Sequence, residues 1–183
     1  MGSCDPKTVT IHELTLTSPP EDIEEARTLL LEYGGWVIAQ PGAGRFCFGS
    51  LQKEAENLPA GYLEQDGGCM MARADREPAG FVAWRTIPPP AVPDALVAAP
   101  SRTAWELKRL WVRNQARGLG LGRILTEAVI ERARNAARQS IYLDTAPQSM
   151  GAAYRMYLSL GFVPCDRYND NPVEGLAYLV KHL

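Results

Sequence analysis

The residues with the clearest chemical potential are Arg117-Gly118-Leu119-Gly120-Leu121-Gly122-Arg123. They follow a strand-like stretch, Trp105 to Val112. They open a helical pattern in which Leu121, Ile124, Leu125, Ala128 and Val129 recur on one face. A glycine turn at a helix start directs unpaired backbone N–H groups to one place, and the helix dipole adds to their pull on an anion. Glycine leaves that space free of side chain. Arg117 and Arg123 bracket the turn with positive charge. Arg123 stands in the first helical turn, where a cation opposes the dipole unless an anion is bound. The physical reading is a cradle for a diphosphate. A nucleotide-binding P-loop would need Lys-Ser or Lys-Thr after its glycines. A dinucleotide turn would need G-x-G-x-x-G, whereas the spacing here is Gly118-x-Gly120-x-Gly122. On the glycines alone a purely structural turn also remains open.

Glu106 is the second candidate. A carboxylate within a strand is out of keeping with strand composition. It either pairs with Lys108 or Arg109, faces solvent, or takes a proton from a reacting group. Pleating places Glu106 and Lys108 on one face and Arg109 on the other unless a bulge intervenes. Tyr157 lies in an apolar helical run and is a core aromatic or a reactive phenol; Tyr154, one turn earlier, is packing or a second pocket hydroxyl. Ala152, Met156 and Leu160 read as core spacing, and Trp84, Trp105 and Trp111 as core or pocket walls. His12 and His182 are the two histidines, so a histidine-rich metal site is not expected, and His12 reads as a strand residue. Cys4, Cys47, Cys69 and Cys165 form no CxxC pair. They are expected as free thiols, with Cys69 and Cys165 buried.

The elements that must position these groups follow from periodicity. Thr8 to Leu16 reads as a first strand. Ser18-Pro19-Pro20-Glu21 reads as a helix start capped by Ser18, with Ile23, Ala26, Leu29 and Leu30 as its stripe and Gly34-Gly35 as its end. Leu51, Ala55 and Leu58 suggest a second helix stopped by Pro59. Cys69 to Arg73 and Ala79 to Ile87 form a hairpin around Asp75-Arg76-Glu77. Residues 88–104 read as a proline-rich surface loop, either a plain excursion or a lid over substrate, with a short helical piece at Asp94 to Ala99. A helix from Gly120 to Ala137, a strand from Ser140 to Leu143, a helix from Met150 to Leu160, a strand at Phe162 and a last strand from Leu176 to Val180 complete an α/β order.

The 183 residues, 46% hydrophobic with a net charge of −2, suit a single domain over 1–183 with a sizeable core. That balance argues against nucleic acid as a partner. No apolar run approaches the roughly 20 residues needed to cross a bilayer. The N-terminal MGSCDPKTVTIHEL lacks the apolar stretch of a signal peptide, and Pro6 spoils a myristoylation pattern. No membrane association and a cytoplasmic location are therefore expected.

With these residues in place, the sequence resembles the GCN5-related N-acetyltransferase (GNAT) superfamily. That family's signature is Arg or Gln, two residues, Gly, one residue, then Gly or Ala; here Arg117, Gly120 and Gly122 fill it. Leu107-Lys108-Arg109-Leu110-Trp111-Val112 resembles its fourth strand. Ala153-Tyr154-Arg155-Met156-Tyr157-Leu158-Ser159-Leu160-Gly161-Phe162 resembles its helix ending in Leu-Gly-Phe. Met150 stands where many members carry Asn. The likeness is strong from Trp105 to Leu183 and weaker before Ile87. Glu54 to Tyr62 and Tyr168-Asn169-Asp170-Asn171-Pro172 resemble a bacterial and fungal branch.

The resemblance implies an open, mainly antiparallel mixed sheet of about seven strands flanked by helices and splayed between strands four and five, with acetyl-pantetheine in the gap. It implies acetyl-CoA as co-substrate and no metal. The implied cofactor contacts are Leu110, Trp111, Val112, Arg117, Gly118, Leu119, Gly120, Leu121, Gly122, Arg123, Asp144, Thr145 and Tyr154. A backbone N–H of the fourth strand would serve the oxyanion, Tyr157 would serve the departing thiolate, and Glu106 or a water would deprotonate the acceptor. The expected reaction moves an acetyl group to a primary amine, on a small molecule rather than a peptide, by direct attack in a ternary complex of a monomer or homodimer. A larger acyl group, a hydroxyl acceptor or a noncatalytic acyl-CoA sensor are the alternatives.

Overall fold

The computed structural model describes residues 8–40, 48–87 and 104–183. The elements run β1 (Val9–Glu13), α1 (Pro20–Ile38), α2 (Phe48–Glu56), α3 (Ala60–Leu63), β2 (Gly68–Ala74), β3 (Glu77–Thr86), β4 (Ala104–Val112), α4 (Leu121–Asn135), β5 (Ser140–Thr145), α5 (Gly151–Ser159), β6 (Val163–Pro164) and β7 (Ala177–His182), with a 3₁₀ turn at Asn114–Ala116. The strands form a seven-stranded sheet ordered β1-β2-β3-β4-β5-β7-β6. Among the described residues only β4 and β5 pair in parallel; the other neighbours are antiparallel.

Alternation along the strands builds a core on each face. From β2, Met70, Ala72 and Ala74 face Leu121, Leu125 and Val129 of α4. Cys69 and Met71 face the opposite side, under Leu29 and Leu30 of α1 and Leu51 of α2. Among the described residues, no helix is long and apolar enough to cross a membrane.

Four local expectations are corrected. Helix α1 continues past Gly34-Gly35 to Ile38, because Trp36 beyond the pair packs at a tilt against Trp111, 5.8 Å between ring centroids, and Val37 is buried. That packing outweighs a glycine penalty of about 1 kcal/mol per residue. Ser18 does not cap α1. Pro19 takes the N-cap position, and Ser18 Oγ instead accepts from the Thr15 N–H at 2.9 Å. Ala104 belongs to β4 rather than to a loop, while residues 88–103, including the expected helical piece, lie outside the described residues. Cys69 is buried as expected, whereas Cys165 is only half-buried.

The feature that shapes the site is a bulge in β4. Trp84 pairs with Leu107 and Ala83 with Lys108, but Phe81 pairs with Trp111. Arg109 and Leu110 therefore stand opposite the single residue Val82, a two-against-one bulge. Arg109 adopts φ +58°, a left-handed conformation costing roughly 1–3 kcal/mol for a non-glycine residue. Its guanidinium holds the strain in place by donating to both oxygens of Glu54 on α2, each at 3.0 Å. The Tyr62 hydroxyl donates to the same carboxylate. Burial alone would raise the Glu54 pKa; the Arg109 hydrogen bonds and charge, with Tyr62, bring it below the usual carboxylate range.

Glu54→Ala is expected to lower the unfolding free energy by about 2 kcal/mol in urea denaturation. That is below the roughly 3–5 kcal/mol of fully buried pairs, since these side chains keep 23% and 18% exposure. Because folding depresses the Glu54 pKa, its contribution is full above the unfolded value of about 4.3 and disappears as pH falls through the folded value. The gap between the unmodified and Glu54→Ala midpoints should therefore stay constant down to about pH 4.3 and narrow as pH falls below it.

Candidate functional site

Strands β4 and β5 pair only at Ala104–Ser140, Trp105–Ile141 and Glu106–Tyr142. Beyond these residues β4 stays with β3 to Val112, while β5 follows β7. The divergence opens a cleft of about 930 Å³, walled by β4, the first turn of α4, the end of β5, one face of α5, and Tyr33 and Trp36 of α1. The open mixed sheet expected from the sequence is thus present, with its split between strands four and five.

At one end of the cleft lies the glycine turn. Gly118 and Gly120 have φ +85° and +76°, and a Cβ on either would enter open space. Among the described residues, the N–H groups of Gly118 to Arg123 take no backbone carbonyl; Ile124 is the first of α4 to do so, donating to Gly120 O at 3.0 Å. Six unpartnered donors at the positive end of a 15-residue helix form an anion-binding geometry. The Arg117 guanidinium lies 5.6 Å over the Trp111 ring. Arg123 donates to Ser159 Oγ at 2.5 Å, joining α4 to α5. Leu110, Trp111, Val112, Leu121 and Gly122 also line the cleft. The Leu119 side chain packs on the core instead, so its contribution is confined to the backbone.

At the other end is a polar floor. Glu106 is 3% exposed and accepts from Arg85 Nε at 2.8 Å, Lys108 Nζ at 3.3 Å, the Tyr168 hydroxyl at 3.1 Å and Asn169 Nδ2 at 3.2 Å. Burial alone would raise its pKa; Lys108, Arg85 and the Tyr168 hydrogen bond together lower it. The bulge begins after Lys108, so Glu106 and Lys108 share a face as the pleat requires. The pairing reading of Glu106 matches this geometry. As a base it is weak, because its pKa is depressed and both oxygens are engaged. Asn169 Nδ2 also donates to Asp144 Oδ2 at 2.7 Å, bridging β4 to β5 across the split, and Asn171 Nδ2 donates to the same oxygen at 3.2 Å.

Tyr157 lines the cleft, packs edge-on against Phe162 at 5.7 Å, and has a hydroxyl without a hydrogen-bond partner among the described residues. Burial, with Tyr33 and Asp144 nearby, pushes its phenol pKa well up. Thr145 is buried in the cleft wall, its hydroxyl 3.7 Å from Met150 Sδ. Tyr154 is not brought to the cleft; it packs against the core. Of the residues read as core spacing, Met156 and Leu160 pack against the core, while Ala152 and Met156 also line the cleft, because α5 turns that face toward the split.

Sequence reasoning assigned no role to Tyr33, Trp36, Asn169 or Asn171. The aromatic pair sits on a helix remote in sequence from the glycine turn, and nothing local marks it. The asparagines did carry a signal. Their side chains fold the segment on itself, with Asn169 Oδ1 accepting from the Asn171 N–H and Asn171 Oδ1 from the Val173 N–H, each at 3.1 Å. Such turns aim amide groups at a fixed point.

Comparison with known proteins agrees with this geometry. Residues 21–162 match the Acetyltransferase (GNAT) family. An uncharacterized N-acetyltransferase of Schizosaccharomyces pombe is 28% identical over 161 residues, 87% of this chain and 88% of that one. N-acetyltransferase 8F1 of Mus musculus is 29% identical over 119 residues, 64% of this chain and 50% of the mouse protein. Among solved structures, an acetyltransferase from Streptococcus agalactiae superposes with a TM-score of 0.70 at 19% identity, over 96% of this chain and 98% of that one. A PaiA N-acetyltransferase from Thermoplasma acidophilum, in complex with coenzyme A, gives 0.67 at 18% identity over 96% and 99%. With most of its length matched to the family profile and its sheet split where that fold opens, the chain belongs to the acetyltransferase (GNAT) family.

Proposed function

We propose that the protein transfers an acetyl group from acetyl-CoA to a primary amine on a small molecule, by direct attack within a ternary complex. The observation that carries this reading is the row of unpartnered N–H groups from Gly118 to Arg123 at one end of a cleft, with polar groups at the other. The coenzyme A complex of the Thermoplasma relative supports coenzyme A as the ligand of such a cleft. The turn N–H groups, Arg117 and Arg123 would hold the diphosphate, and Leu110 to Val112 would flank the pantetheine arm. The acetyl group would lie in the β4–β5 split, where the β4 edge beyond Glu106 is unpaired by β5 and offers backbone donors to a developing oxyanion. In the reaction the amine nitrogen bonds to the carbonyl carbon, the carbon–sulfur bond breaks toward sulfur, and the nitrogen loses protons to water.

Tyr157 would face the departing sulfur. Its raised pKa disfavours complete proton loss, so its contribution is hydrogen-bond donation to the thiolate as charge develops. Glu106, saturated with donors, would hold Lys108 and the floor in place, leaving ordered water as the proton acceptor. A small-molecule acceptor fits a walled cleft of this size.

Gly120→Val places a branched side chain in the anion space and forces a β-branched residue to φ +76°. Calorimetric titration should show coenzyme A affinity reduced at least about tenfold, the loss expected when a charged group loses its hydrogen bonds, with the circular dichroism spectrum retained. Tyr157→Phe should lower kcat about tenfold or more while changing coenzyme A affinity little, as expected when a transition-state donor is removed; steady-state kinetics with a chemistry-limited amine measures both. Glu106→Gln should lower the melting temperature while leaving the apparent pKa of the kcat/KM profile in place. Loss or displacement of the acidic limb, where a general base must ionise, would return the base role to Glu106.

A further inference from the structure

The charges lining the cleft do not cancel evenly. Arg109 is paired with Glu54, and Lys108 and Arg85 are paired with Glu106. Asp144 differs. It stands at the end of β5 where the strands have parted, and it lines the cleft. Both of its hydrogen-bond partners among the described residues, Asn169 and Asn171, are neutral amides, and both donate to Oδ2. Among the described residues, Asp144 has no cation within ion-pair distance, and Oδ1 accepts no hydrogen bond. The glycine-turn end carries the opposite surplus, with unpartnered N–H groups, a helix N-terminus and Arg117. With Glu174 also in the lining, three carboxylates, Glu106, Asp144 and Glu174, stand against two cations, Lys108 and the Arg85 that pairs with Glu106, so among the described residues one negative charge is left over away from the glycine turn.

The two amides fix the carboxylate rather than neutralise it, and Lys108, whose charge also couples to Asp144, is bound to Glu106. Asn169 is itself fixed, since its Nδ2 also donates to Glu106 on β4, and Asn171 is tied to Asn169 through its backbone N–H. Oδ2 is thereby tethered to the wall and Oδ1 is left for a ligand. Tyr157 lies close enough that the Asp144 charge contributes to the upward push on its phenol, after burial and Tyr33. The carboxylate and the group proposed to face the thioester sulfur thus share one region of the cleft. An ammonium at Asp144 would stand beside the reacting carbonyl. In a cleft of low effective dielectric such a pair is strong relative to water, whereas a neutral hydroxyl would gain only a hydrogen bond.

We propose that Asp144 is the docking carboxylate of the acceptor, receiving on Oδ1 the ammonium group of a basic aliphatic amine, with Asn169 and Asn171 as positioning residues. The assignment moves Asp144 from the cofactor to the acceptor and selects amines over alcohols. It rests on the acyl-transfer reading for the identity of the reaction, and on the cleft alone for binding.

The test separates the two. Coenzyme A-loaded protein is titrated with n-hexylamine and 2-phenylethylamine, and with n-hexanol and 2-phenylethanol, following the fluorescence of Trp36 and Trp111 in the cleft wall. Acetylation of the amines is measured in parallel with acetyl-CoA. The unmodified protein should bind each amine at least tenfold more tightly than its alcohol. Asp144→Asn should abolish that preference while coenzyme A affinity stays within twofold, and Asp144→Glu should restore part of it. Amines bound through Asp144 but not acetylated would uphold the docking site and overturn the acyl-transfer reading. Equal binding of amine and alcohol by the unmodified protein, no amine binding, or an undiminished preference in Asp144→Asn would overturn the docking site. The amine–alcohol comparison in the unmodified protein needs no variant to fold.

Discussion

The site depends on one constraint: β4 must remain paired with β3 along its length while leaving β5 after Glu106. A regular strand between two partners would stay hydrogen-bonded to both. The bulge at Arg109 and Leu110 breaks that regularity, since an extra residue bends the strand and increases its twist. The strained Arg109 is held by Glu54 from a helix more than fifty residues earlier in the chain. The first half of the molecule thus fixes the geometry of a cleft whose signature residues lie in the second half.

Two polar systems occupy the two ends of this split, and they differ in kind. At the glycine turn the chemistry belongs to the backbone: N–H groups left over at the start of α4, in space kept open by residues without side chains. At the floor it belongs to side chains, in a chain of hydrogen bonds from Arg85 through Glu106 and Asn169 to Asp144. That chain crosses from β4 to β5 where their own ladder has ended. The asparagine amide takes over the linkage that the main chain no longer makes, and it leaves the cleft rigid and polar at its base.

The aromatic wall completes the enclosure. Trp111 touches Tyr33 and Trp36 of α1 and supports Arg117, while its indole N–H donates to Glu32 at 3.3 Å. Glu32 also receives Arg113, just past the end of β4. Helix α1 therefore overrides its own glycine pair: the contacts it gains against β4 exceed what two glycines cost. The same contacts place Tyr33 and Trp36 in the cleft.

The glycine turn, its flanking strand and helix and the order of the elements were legible in the residues themselves, while the split sheet followed only from the family resemblance. The reason is that a cradle built from backbone needs particular residues at particular local spacing. The same locality exposed the tyrosine of α5 and the carboxylate of β4 as residues out of keeping with their surroundings. Their roles were not local. Whether Glu106 is a base or an anchor depends on Arg85, Lys108, Tyr168 and Asn169 converging on it, and those residues lie as far as 63 positions away. The face of α5 that carries Ala152 and Met156 looks like core by periodicity, because periodicity records that a face is apolar and not what lies opposite it. Only the parting of β4 and β5 decided that this face meets a cleft. It also decided that Asp144, a polar residue at a strand end, lines the cleft with no cation within ion-pair distance among the described residues.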